Sequence, residues 1–135
     1  MNAEEQRAAV VRYWWSKAEE GLVAARRDLD AQAYTFAINR LYYAAFYAAS
    51  AALLERHLSF KKHTGVRAAF HQTFIKTGVL DMEWGKLYDQ LFEDRQEGDY
   101  LALVEFAPEY VADQLARCAQ FLDALRPLMT SLKPV

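Results

Sequence analysis

From about Ala33 to Arg56 the chain offers a stretch that is apolar on nearly every side of the helix it would form. A helix of that kind cannot face water, so the rest of the chain must wrap around it. Its most apolar run, Leu41 to Leu54, is interrupted only by Ser50 and is too short to cross a bilayer. Its many alanines allow neighbours to approach closely from several directions. These features together place it at the centre of a helical bundle.

Four further segments have the period of a helix. Val11, Trp15, Ala18, Leu22, Ala25 and Leu29 alternate spacings of four and three, which lays one apolar stripe along a helix from about Ala3 to Leu29. A third helix is expected from about Thr64 to Lys76, with Val66, Phe70 and Phe74 on one face and Gly78 as its stop signal. A fourth runs from about Met82 to Gly98. Pro108 suits the first turn of a fifth, where Val111, Leu115, Cys118, Leu122, Leu125 and Met129 repeat the stripe. Leu101 to Phe106 is left without an element, and no strand pattern competes. The fold class is therefore all-α, an antiparallel four- to five-helix bundle with short connections. With 135 residues, 53% of them hydrophobic, and no Gly-, Ser- or Pro-rich linker, residues 1–135 are expected to form one domain.

Charge is unevenly spread although the net value is only -2. Between Arg56 and Leu80 there are five Lys/Arg, all three His and no acid; between Asp81 and Asp113 ten acids face Lys86 and Arg95. Such regions either neutralise each other or present a phosphate-binding surface. The single cysteine, Cys118, excludes an intrachain disulfide and fits a reducing cytoplasm. The polar, acidic start of the chain does not resemble a secretory signal, and no membrane span is expected.

Several polar residues stand out against the apolar pattern. Asn39 and Arg40 interrupt the central helix, and a buried guanidinium needs a partner; either Asp99 or other acids of the fourth helix supply one, or the pair opens to a ligand phosphate. Tyr88, Phe92, Arg95 and Asp99 share a face of the fourth helix, with Tyr100 beside them. That face is either the rim of a cleft or an exposed Arg95–Asp99 pair. Lys61, Lys62 and His63 precede the third helix and Arg67 lies one turn inside it, where free amides and the helix dipole favour an anion. The alternative is a solvated basic turn. His71 is expected to make a surface or interface hydrogen bond. Tyr42, Tyr43, Phe46 and Tyr47 are read as core or dimer packing rather than as a base-stacking platform. One cysteine and scattered histidines support no metal site, and no nucleophile elbow or Gly-rich phosphate loop is present, so no cofactor is expected.

The blocks Asn39-Arg40-Leu41-Tyr42-Tyr43-Ala44-Ala45-Phe46-Tyr47-Ala48-Ala49, His63-Thr64-Gly65-Val66 and Arg95-Gln96-Glu97-Gly98-Asp99-Tyr100 together resemble the small HEPN proteins of the UPF0332 type. The resemblance runs from about Tyr13 to the last helix. It implies a homodimeric helical bundle, often paired with a minimal nucleotidyltransferase as toxin and antitoxin. Many HEPN relatives are metal-independent ribonucleases that use an Arg and a His separated by about four to six intervening residues near the end of a late helix. Here Arg95 occupies that place, but Tyr100 stands five residues on and no His follows it. A tyrosine of ordinary pKa is a poor base at neutral pH, though it can donate a hydrogen bond to phosphate. Arg56 and His63 meet the spacing literally, but at the end of the central helix.

The expected function is that of a HEPN-type partner domain that binds a nucleotide or RNA phosphate and lacks the usual ribonuclease motif. Arg95, Asp99, Tyr100, Arg40 and His63 form its expected polar site, with Lys61, Lys62 and Arg67 as further phosphate contacts and Asn39 and Asp99 as structural polar residues. Two alternatives stay open. One is a metal-independent endoribonuclease whose catalytic candidates are Arg95, Tyr100 and His63; the other is a non-catalytic assembly module.

Overall fold

The structure, a computed structural model, describes residues 1–100 and 104–133, the side chain of Tyr100 excepted. The described residues contain helices and no strand, in an antiparallel bundle built round the second helix. Helix α1 spans Ala3–Asp30, α2 Tyr34–Glu55, α3 His63–Phe70, α4 Met82–Tyr100 and α5 Pro108–Leu125. These bounds fall within about two residues of the sequence reading, except in the third segment. There the α-helix stops at Phe70 and continues as a π turn, His71–Ile75, where His71 turns toward Asp89 of α4.

Local chemistry accounts for the boundaries. The Asn2 side chain accepts the Glu5 amide at 2.8 Å and caps α1, whose first turn carries Glu4 and Glu5 against the positive end of the helix dipole. Both α1 and α2 end in Schellman turns without glycine: Gln32 and His57 take positive φ (62° and 65°), while Ala33 N–H bonds Asp28 C=O and Leu58 N–H bonds Leu53 C=O. Gly78, at φ 78°, closes the π turn as expected.

Packing follows the stripes. Val11, Trp15, Ala18 and Ala25 of α1, and Val111, Leu115, Cys118, Leu122 and Leu125 of α5, are buried against α2, and Met129 extends the α5 stripe beyond the helix. Gly21 brings α1 unusually close to α2: a methyl group there would lie 3.1 Å from Ala44 Cβ and 3.2 Å from Arg40 O. An aromatic cluster joins the third segment to the core, with the Phe70 ring 5.4 Å from Tyr88 and 5.6 Å from Phe121. No helix among the described residues is long and apolar enough to cross a membrane.

Candidate phosphate site

The chain returns from the end of α2 along α2 itself. Tyr42 lies thirteen residues before Glu55, about 20 Å up the helix axis at 1.5 Å per residue. The seven residues from Arg56 to Lys62 can cover about 25 Å when extended. That length brings His63, the first residue of α3, back beside Tyr42. The Tyr42 hydroxyl and His63 Nδ1 are 3.0 Å apart, and the imidazole stacks on Phe46 with centroids 4.1 Å apart.

Arg95 reaches the same place from α4. Its guanidinium lies 5.1 Å from the centre of the Tyr42 ring and 5.2 Å from that of Tyr43, and its Nη2 donates to the Tyr43 hydroxyl at 3.3 Å. The side chain is 22% exposed, so it is partly desolvated and the two aromatic faces strengthen its hold. Asp99 Oδ2 lies 3.3 Å from Arg95 Nε. That contact balances charge without hydrogen-bond geometry, and the buried Nε–H has no acceptor among the described residues.

The electrostatics define what these groups can do. Burial, and secondarily the Arg95 charge, hold His63 below its ordinary pKa, so the ring is neutral at pH 7. Burial pushes the Tyr42 hydroxyl up to about 12, with Arg95 opposing, so it keeps its proton. Tyr42 is fully buried and His63 is its hydrogen-bond partner. Donation of that proton to Nδ1 satisfies both groups and leaves the second imidazole nitrogen, Nε2, protonated. In this tautomer His63 offers a neutral N–H donor rather than a free basic lone pair. Beside a guanidinium, such a donor suits an anionic oxygen better than proton abstraction.

A second cationic cluster lies across Phe92. The Arg67 guanidinium stacks on Phe92 at 4.0 Å and donates to Asp89 Oδ1 at 3.0 Å; His71 Nε2 is 2.9 Å from the same oxygen. The basic third segment and the acidic fourth helix thus neutralise one another at Asp89. The hydrogen bond of His71, expected at the surface or at an interface, is instead a partly buried one within the chain, to Asp89 of α4. Lys61 and Lys62 are exposed, with no ion pair among the described residues. Arg56 stacks on Phe74 at 4.9 Å and forms no pair with His63.

Arg40 departs from the expectation of a buried guanidinium tied to the fourth helix. Its side chain is 54% exposed and pairs with Asp28 of α1 at 3.4 Å. It faces a cavity of about 830 Å³ between α1 and α2 that is also lined by Asn39, Tyr43 and Tyr47. The reason is geometric: Arg40 and Asn39 point to the strip of α2 beside α1, whereas Asp99 engages Arg95. Tyr100 ends α4, and its side chain lies outside the described residues. No cluster of three or more potential metal ligands occurs among the described residues.

Tyr42 and Tyr43 were legible in the sequence only as aromatics of the core or of a dimer contact. A buried tyrosine must find a partner for its hydroxyl, and that requirement was the available signal, but it does not say which residue answers it. Tyr88 illustrates the limit, since its buried hydroxyl has no hydrogen-bond partner among the described residues.

Residues 11–128 match the HEPN domain family. A UPF0332 protein of Thermotoga maritima is 45% identical over 133 residues, 98% of each chain. A Methanocaldococcus jannaschii protein named "Putative toxin MJ0142" is 35% identical over 115 residues, 85% of this chain and 78% of that protein. Another from the same organism, "Putative toxin MJ0605", is 36% identical over 83 residues, 62% of each chain.

Proposed function

The chain belongs to the HEPN domain family, and from that premise we propose that it is the toxin-side member of a toxin–antitoxin pair, a cytoplasmic homodimer that binds RNA phosphate. The names of two relatives describe a toxin, and a minimal nucleotidyltransferase is the partner proposed for it. The single observation that carries the site is the meeting of Arg95 and His63 over Tyr42 and Tyr43. Arg95 supplies the charge for a phosphodiester and the neutral His63 a second donor; a guanidinium held between aromatic rings is pre-organised for an anion. Lys61 and Lys62, beside His63, add longer-range attraction.

The test is fluorescence anisotropy of a labelled single-stranded oligoribonucleotide at several salt concentrations. Wild-type protein should bind saturably and weaken with salt. Arg95→Ala should lose about tenfold to a hundredfold in affinity and lower the salt slope by about one. Absence of saturable binding, or an Arg95→Ala variant that binds as wild type, overturns the reading and leaves the assembly module.

A ribonuclease reading has one specific observation in its favour: His63 and Arg95 meet at the same pair of rings, Tyr42 and Tyr43. It predicts metal-independent cleavage of the same oligonucleotide that disappears in His63→Ala. Intact RNA after prolonged incubation with wild-type protein excludes it.

A further inference from the structure

We infer that the cavity between α1 and α2 is a nucleoside pocket, which takes a base of single-stranded RNA next to the phosphate held by Arg95. The inference rests on the phosphate reading of Arg95 and adds the class of ligand and a second subsite. Tyr43 links the two places: its hydroxyl accepts from Arg95 at 3.3 Å while the residue lines the cavity. Tyr47, one turn along α2, lines it too, its ring centroid 6.3 Å from that of Tyr43. Both are only partly buried, unlike Tyr42. An aromatic wall open to solvent accepts the face of any base.

The remaining lining matches a nucleotide better than an apolar helix. The Asn39 side chain carries both donor and acceptor for a base edge. Arg27 and Arg40 supply charge for the neighbouring phosphate; Arg40 is paired with Asp28 and Lys17 with Glu20, whereas Arg27 has no ion pair among the described residues. A volume of about 830 Å³ lies within the range of small-molecule sites.

The experiment compares two ligands, an oligouridylate and an abasic ribose-phosphate oligomer of equal length, on wild type, Tyr47→Ala, Tyr47→Phe and Arg95→Ala. Tyr47→Ala should bind the oligouridylate about tenfold more weakly and the abasic oligomer as wild type does, since stacking on the ring is lost and phosphate contacts are kept. Tyr47→Phe should match wild type on both. The pocket is overturned if Tyr47→Ala binds the oligouridylate normally, or loses both ligands equally. It is also overturned if Tyr47→Ala alone, without RNA, sediments as a smaller species, because a second copy of the chain then fills the cavity. If instead Arg95→Ala binds both ligands as wild type while Tyr47→Ala loses only the base-dependent part, the pocket stands and the Arg95 reading fails. No binding of either ligand by wild type overturns both.

Discussion

Tyr42 and His63 are 21 residues apart in sequence and joined by a 3.0 Å hydrogen bond between a fully buried hydroxyl and an imidazole nitrogen. The bond ties the first residue of α3 to the middle of α2 and selects the imidazole tautomer. Tyr42→Phe keeps the ring that supports Arg95 and removes only the donor. It should cost about 1 kcal/mol in urea unfolding. It should also raise the His63 pKa, because Nδ1 no longer accepts a bond that favours the neutral ring. An NMR titration of the His63 ring protons measures this; an unchanged pKa would mean that the hydroxyl does not donate to Nδ1.

The depressed His63 pKa has a consequence for stability. Between the folded-state value and the ordinary 6.5, the unfolded chain holds the His63 proton and the folded chain does not. Stability therefore rises with pH across that window and falls as the solution is acidified below about 6.5. A bound phosphate reverses the preference by favouring the charged ring, so RNA affinity should increase on acidification through the same range. His63→Asn should flatten both the unfolding midpoint against pH and the binding profile near pH 6. A variant that keeps the wild-type profiles would assign them to other groups.

Asp94, next to Arg95 but facing α5, is buried at 4% exposure without a cation in ion-pair contact among the described residues. It accepts from the Gln90 amide at 2.8 Å and from the Tyr110 hydroxyl, which in turn accepts from the Gln114 amide at 2.9 Å. Burial, reinforced by the bond to Asp94, pushes Tyr110 up to about 12, so it remains a donor through the physiological range. Asp94→Ala strands these donors and should destabilise the fold by about 2 kcal/mol in chemical denaturation, more than Tyr110→Phe. Equal effects would show that the carboxylate carries no more than one of the bonds.

Gly21 sets the distance between α1 and α2. Alanine is favoured over glycine inside a helix by about 1 kcal/mol, but here the added methyl meets Arg40 O and the Ala44 backbone as well as Ala44 Cβ. Backbone cannot move aside cheaply, so crowding should win and Gly21→Ala should be destabilising by about 1 kcal/mol. A raised thermal midpoint would show that the helices separate without penalty.

What the sequence determined by itself was whatever is decided within a few residues: five helices, their apolar stripes, Pro108 at the start of α5, Gly78 as a stop, and α2 at the centre. Hydrophobic period and capping act over one or two turns, so they can be read along the chain. The turns at Gln32 and His57 were less visible because neither uses glycine. The tertiary structure alone decided which aromatics of α2 are covered and which cations meet. Tyr42 is sealed in, while Tyr43 and Tyr47, on the same helix, border a cavity. Arg40 went to Asp28, Arg67 to Asp89 and Arg95 to Tyr43. Those pairings span 12, 22 and 52 residues; they depend on the path of the 56–62 connection and on how side chains across the bundle interlock, which no local pattern encodes.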